Sequence, residues 1–169
     1  MLLLLAGCSL QPDVSQAASN GRVGAAAPPL SGQALDGATL TVDFKASSTV
    51  LVFWAAWCGP CRKEQPGLNA LAARYVGQGI KFDGVDMLDH DRALARAFVT
   101  EFNVRYPSLY DDSGSLTAAY EVDSPPSFVL VDRRGIVVAR YPGEASQAQL
   151  ANLIDQKLVT SSGAATASP

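Results

Sequence analysis

The sequence predicts an α/β domain in which a central mixed β-sheet is covered on both faces by helices. Three observations carry this. Apolar runs of strand length alternate with segments whose apolar residues recur every three or four positions. Val50-Leu51-Val52-Phe53-Trp54 is apolar without interruption, as a strand buried on both faces requires. Two cysteines, Cys58 and Cys61, stand where that strand passes into a helix.

The elements follow in order. Leu35 to Leu40 carries an Asp36-Gly37 turn between short apolar pieces, which predicts a hairpin. Thr49 to Trp54 is the first long strand. Pro60 to about Tyr75 places Leu68, Leu71, Ala72 and Tyr75 at helical spacing. Pro66 lies inside this helix, where it removes one backbone hydrogen bond, so the helix bends and continues. Ile80 to Leu88 reads as a second central strand. Arg92 to Phe102 is a helix with Leu94, Ala97, Phe98 and Phe102 on one face. Ser108 to Tyr110 is a short strand and Leu116 to Tyr120 a short helix. Phe128 to Val131 and Ile136 to Tyr141 flank Asp132-Arg133-Arg134-Gly135, a hairpin turn. Leu150 to Leu158 closes the domain as a helix, with Leu150, Leu153, Ile154 and Leu158 inward. Strands alternating with helices, ending in a hairpin and a helix, give a mixed sheet with two covered faces.

At 169 residues, 48% hydrophobic and 17% charged, the chain suits one globular domain. Its net charge is −3 and it has no basic block, which argues against a nucleic-acid partner. It has no apolar run of the roughly 18 residues that a spanning helix requires. A third cysteine, Cys8, follows Leu2 to Leu5 and the small residues Ala6 and Gly7. That pattern resembles a bacterial lipobox, in which the chain is cut before the cysteine and the thiol is lipidated. The run is short and no Lys or Arg precedes it, so the true start is expected upstream. Residues 1–8 are read as a signal-peptide remnant ending at the lipidated Cys8, and 9–27 as a flexible tether. About 15 such residues reach roughly 20–25 Å. Residues 28–159 form the domain, and 160–169 a disordered tail.

The Cys58-Gly59-Pro60-Cys61 segment carries the chemistry. Cys58 falls at a helix N-terminus, with Pro60 in the first turn, where its missing N–H costs nothing. Unpaired N–H groups and the helix dipole favour a thiolate there. The dipole contributes about 0.3–1 kcal/mol, and amides near Cys61 can add to it. A pKa near 7 instead of about 8.5 raises the thiolate fraction at neutral pH roughly fifteenfold. Lower intrinsic nucleophilicity takes back roughly fivefold, so geometry matters as much as acidity. Cys61, one turn on and less exposed, is placed to attack a mixed disulfide on Cys58 at high effective concentration. A zinc site needs about four ligands, and the sequence has no second cysteine pair and only His90. A structural staple usually closes a longer loop, because so small a ring gains little chain entropy.

Residues 50–66, with Trp57-Cys58-Gly59-Pro60-Cys61-Arg62-Lys63-Glu64-Gln65-Pro66, resemble the active site of membrane-tethered TlpA/ResA-like thiol–disulfide oxidoreductases of thioredoxin fold. The similarity runs from about Pro28 to Leu158. It includes the N-terminal hairpin, an inserted strand-helix segment between Ile80 and Tyr110, and Pro125-Pro126-Ser127. The resemblance implies that Pro126 is a cis-proline facing the disulfide and helping to dock substrate. A cis X–Pro bond also suits an abrupt turn into a strand, whereas two trans prolines in a surface loop are the plain alternative. Gly59, Pro60, Pro125 and the aromatic Trp57 join the docking surface, whereas Trp54 is more suited to core packing. Pro125 lacks an N–H, so strand-like docking of substrate is weakened.

Cytoplasmic thioredoxins carry a buried Asp six residues before the first cysteine; here Val52 stands there. The resemblance points to Asp89 as a proton carrier for Cys61, against a solvated or helix-capping Asp. Asp86 and Asp91 are weaker candidates. His90 is expected to be exposed.

The reading is a lipid-anchored, extracytoplasmic oxidoreductase of thioredoxin fold. Its catalytic residues are Cys58, Cys61 and Asp89, with no cofactor beyond the disulfide and no metal. Its expected partners are protein disulfides, such as those of apocytochrome c or other exported proteins, a dithiol electron donor and the membrane surface; a monomer is expected. Potentials on such folds span roughly −270 to −120 mV, so the direction of flux stays open. Two alternatives stand: a thiol peroxidase of peroxiredoxin type, although Phe53 to Trp57 lack the Pro and Thr such sites place before the cysteine, and a metal-handling module in which Met87 assists two thiolates.

Overall fold

β3 (Ser48–Trp54) is the middle strand of the main sheet, and all seven of its residues are buried. The computed structural model describes residues 21–159. In chain order the elements are β1 (Ser31–Gln33), β2 (Thr39–Thr41), β3, α1 (Gly59–Tyr75), β4 (Ile80–Met87), α2 (Arg92–Glu101), β5 (Ser108–Asp111), α3 (Ser115–Ala119), β6 (Ser127–Val131), β7 (Val137–Pro142) and α4 (Gln147–Ile154). The strand order is β5-β4-β3-β6-β7, with β3, β4 and β5 parallel and β6 antiparallel to both of its neighbours, β3 and β7. β1 and β2 form a separate hairpin.

Alternation along β3 explains the two layers. Val50, Val52 and Trp54 pack with Leu68, Leu71 and Tyr75 of α1, Phe98 of α2, and Leu150 and Ile154 of α4. Leu51 and Phe53 pack on the other face with Leu30, Tyr120 and Val122. The apolar run that the sequence shows is therefore two interleaved faces, each with its own core. Pro66 sits inside α1 without ending it, as the spacing through Tyr75 requires.

The turns follow their residues. Asp36 accepts from Ala38 N, and Gly37 takes φ 94°. Asp132 accepts from the backbone N of Arg134 and Ile136 ahead of Gly135 at φ 78°. α4 starts at Gln147 rather than Leu150, because Ser146 and Gln149 form a capping box.

The predicted tether is too long at its described end. Gly24 N donates to Val137 O, Val137 N to Ala25 O, and Ala27 N to Gly135 O. This small-residue stretch covers the outer edge of β7, whose backbone groups would otherwise lack partners. The hairpin does the same for β5, through Leu35 N donating to Ser108 O. The signal remnant, Cys8, residues 9–20 and the tail at 160–169 lie outside the described residues.

Gly84 on β4 is required by close approach. A Cβ there would lie 2.2 Å from Ser108 Oγ and 2.8 Å from Trp54 Nε1. Those two atoms hydrogen-bond each other at 3.3 Å and anchor the last residue of β3. Gly84→Ala is expected to lower folding stability by about 1–3 kcal/mol, read as a lower urea midpoint.

Candidate active site

The site forms where β3 stops. The chain turns through Ala55–Cys58, with Cys58 N donating to Ala55 O at 3.1 Å, and α1 begins at Gly59. Cys58 is the N-cap of α1 and Pro60 lies in its first turn. The Cys58 sulfur accepts from Cys61 N at 3.1 Å. The helix therefore offers this sulfur both its dipole and one of its unpaired amides. Cys58 and Cys61 are joined as a disulfide, with Cα atoms 5.2 Å apart.

The sequence expects Cys61 to be less exposed than Cys58. The structure buries both almost equally, with Cys61 2% and Cys58 3% exposed. The sulfur pair lies at the rim of the α1-side core rather than on the surface. Approach remains open beside it. Gly59 is exposed, and a Cβ on it would meet nothing within 4 Å. Trp57 is 59% exposed on the adjoining side. Its indole N–H donates to Leu88 O at 3.3 Å. Leu88 is itself 43% exposed and takes φ 61°, the left-handed region that a leucine rarely adopts. Trp57 and Leu88 make an exposed apolar pair at the edge of the site. Trp54, by contrast, is core: it is 1% exposed and stacks on Phe98 at 4.4 Å.

The Pro125–Pro126 peptide is cis. β6 pairs with β3 from Phe53 opposite Ser127, so the next step of that register sets Pro126 across from Trp54, where the chain turns toward Cys58. Pro126 is buried and its carbonyl accepts from Gly143 N, while Pro125 is half-buried. No hydrogen bond of the described residues reaches the Pro125 carbonyl, which leaves it as an acceptor for another chain.

The carboxylates sort differently from their order in the sequence. Asp89 is buried, and its Oδ2 accepts from Ala56 N at 2.6 Å. Asp91, not Asp89, caps α2 through Ala93 N. Asp86 is 0% exposed and neither of its oxygens meets a donor. Burial pushes its carboxyl up to about 9, and the adjacent Asp89 and Asp111 add to this. His90 is exposed.

One carboxylate was missed. Glu64 lies three residues after Cys61, on the same face of α1. Its Oε1 accepts from Ala145 N at 2.5 Å, and its Oε2 is buried without a partner. Burial pushes Glu64 up to about 7, opposed by the Ala145 hydrogen bond and helped by Glu144. Helical spacing from Cys61 was a usable signal for it. Leu88 left no such signal, since nothing in a leucine announces a left-handed backbone.

Among the described residues no group of three or more His, Cys, Asp or Glu could hold a metal. Met87 is fully buried in the core on the opposite face from the cysteines, so it cannot join them as a ligand.

A disulfide at the N-terminus of the first long helix, with a cis-proline loop across from it on this strand order, defines a thioredoxin-like protein. The chain belongs to the AhpC/TSA family, whose model matches residues 23–140. It is similar to the thiol-disulfide oxidoreductase ResA of Bacillus thuringiensis, 33% identical over 108 residues, 64% of this chain and 62% of that protein. The match thus spans just under two thirds of ResA. The thioredoxin-like protein YneN of Bacillus subtilis is 27% identical over 160 residues, 92% of each chain. A crystal structure of a secreted Mycobacterium tuberculosis disulfide oxidoreductase, homologous to Escherichia coli DsbE, superposes with a TM-score of 0.68 at 26% identity. It covers 75% of this chain and 95% of that one. The ResA-like resemblance and the thioredoxin fold read from the sequence are both met.

Glu64 ionises at higher pH in the folded chain than in the unfolded one. Its contribution to stability is fully present below about pH 4.5 and is lost as pH rises through about 7. Glu64→Gln removes that loss, so urea midpoints measured from about pH 4 to 8 are expected to fall less in the variant than in the parent chain.

Proposed function

We propose that this chain is a thiol–disulfide oxidoreductase acting on disulfides of exported polypeptides outside the cytoplasm, tethered to the membrane through lipidated Cys8. The observation that carries the chemistry is the Cys58–Cys61 disulfide at the N-terminus of α1, with the Cys58 sulfur on Cys61 N–H. In the reductive direction the Cys58 thiolate attacks a substrate disulfide, one S–S bond breaks, and the leaving sulfur takes up a proton. Cys61 then loses its proton and attacks the Cys58 sulfur. The second substrate sulfur leaves, and the protein is left oxidised by two electrons. A dithiol donor outside the site restores it, so no other cofactor is needed.

Glu64 is better placed than Asp89 to accept the Cys61 proton. It follows Cys61 by one helical turn, carries a free buried oxygen and ionises near neutrality, where a general base works best. Asp89 is occupied by Ala56 N–H. Trp57, Leu88, Gly59, Pro60 and the Pro125 carbonyl form the surface that receives the substrate strand. The similarity to a secreted disulfide oxidoreductase supports a place outside the cytoplasm, and that to ResA supports thiol–disulfide exchange. Apocytochrome c is among the candidate substrates. Among the described residues no helix is long and apolar enough to cross a membrane.

The test is reduction of a disulfide-containing peptide by the dithiol form, together with the equilibrium potential of the pair. A potential near roughly −270 mV supports a reductant, and one near roughly −120 mV reverses the direction. Cys61→Ser is expected to accumulate a mixed disulfide on Cys58, visible by mass spectrometry; no adduct would remove Cys58 as the attacking sulfur. The family match favours one second reading, a thiol peroxidase, for which consumption of hydrogen peroxide by the reduced protein is the discriminating measurement.

Pro125→Thr supplies the missing N–H donor. It is expected to lower KM for a peptide disulfide by about fivefold, the effect of one added hydrogen bond, with little change in kcat. Unchanged exchange kinetics would mean that substrate does not dock there as a strand.

A further inference from the structure

The connection from β4 to α2 grips the turn before Cys58 at two points. Ala56 N–H donates to Asp89 Oδ2, and the Trp57 indole donates to Leu88 O. Beneath this connection lies Asp86, opposite Trp54 on β3 and Tyr110 on β5. It is fully buried and no donor reaches either oxygen. An ionised carboxylate in that position has nothing to compensate its lost hydration, so the neutral acid is the form that fits. The neutral acid has one O–H to give, and the acceptor beside it is the Asp89 carboxylate. Charge on a neighbouring carboxyl further disfavours charge on Asp86, whose oxygens have no donor to compensate it.

We propose that Asp86 is a positioning residue for the dithiol: as the neutral acid it donates its proton to Asp89, fixes that carboxylate on Ala56 N–H, and so holds the turn from which Cys58 projects. This rests on the thiol–disulfide reading above. The surroundings favour the protonated form. Asp89 lies beside Asp86 in the loop, and Asp111, opposite Met87 at the end of β5, adds its charge. Asp111 is itself held by Leu116 N, Thr117 N and Thr117 Oγ1. Tyr110 flanks Asp86 on β5, and Arg92 of α2 stacks over that ring at 4.5 Å and donates to Gln33 rather than to Asp86. From α1, Arg62 is paired with Glu101. Burial raises Asp86 to about 9, so it keeps its proton through neutrality and releases it to solvent in alkali. Two adjacent negative charges then loosen Asp89 from Ala56.

The experiment is the alkylation rate of Cys58 by iodoacetamide in the reduced full-length chain, followed across pH. Thermal unfolding of each variant confirms that it is folded. Asp86→Asn keeps a neutral donor at every pH. It is expected to hold the neutral-pH rate within about twofold and to abolish the alkaline departure from a single thiol titration. Asp86→Ala removes the donor, and Asp89→Ala removes the acceptor. Each is expected to slow Cys58 by about tenfold, with the double variant no slower than Asp89→Ala alone. The proposal is overturned if Asp86→Ala matches the parent chain, if Asp86→Asn is as slow as Asp86→Ala, or if the alkaline departure survives in Asp86→Asn. Failure of the underlying reading looks different: the parent chain then exchanges no disulfide at all, whatever stands at position 86.

Discussion

A thiol gains from a helix N-terminus only if the first turn of that helix is held still against what precedes it. Here that constraint is met at the junction of β3 and α1. β3 is buried along its whole length between β4 and β6, so the point where it ends is fixed. Four residues carry the chain from Trp54 to Cys58. Within them, Cys58 N closes on Ala55 O, Ala56 N is taken by Asp89 and the Trp57 indole by Leu88. The Cys58 sulfur then meets Cys61 N–H without further adjustment. Trp54 fixes the other side of the junction, stacked on Phe98 and bonded to Ser108 through a gap that only Gly84 leaves open.

The electrostatics around this junction divide into two regimes. At the helix N-terminus, dipole and amide favour negative charge on sulfur. A short way below, burial disfavours it: Asp86 and Glu64 are both pushed up. The difference is one of donors rather than depth. Asp111 is as buried as Asp89, yet three donors from α3 surround it. Asp86 has none, and Glu64 has one donor on one oxygen only. On the proposed oxidoreductase reading, carboxyl groups that are not already satisfied as anions suit a site that accepts and releases protons.

The concealment of the sulfurs bears on specificity. With both cysteines at the rim of the core, a partner must approach through the opening by Gly59 and against Trp57 and Leu88. A small reagent needs only the opening, while a polypeptide also gains the apolar contact. On the proposed oxidoreductase reading, selectivity for polypeptides follows from shape and exposure more than from any charge at the site.

Much of the molecule was legible in the sequence. The apolar run at Val50–Trp54, the Asp36-Gly37 and Asp132–Gly135 turns and the spacing in α1 are local signals, and they gave the elements and their order. The cysteine pair announced its chemistry because spacing and helix position are both local. Two misreadings were equally physical. Residues 24–27 look like linker because they are small, yet a sheet edge needs only their backbone. Asp89 and Asp91 are alike as sequence, but Asp91 accepts from Ala93 N and caps α2, whereas Asp89 turns to the active-site loop. What the sequence by itself determined is therefore whatever neighbours along the chain enforce: strands, turns, the helix that begins at Cys58 and the sulfur pair on it. What only the tertiary structure decided is which carboxyl groups keep their protons, how far the sulfurs are covered, and that Leu88 reaches Trp57. Those depend on desolvation and donors supplied by residues far away in sequence, and no local pattern records them.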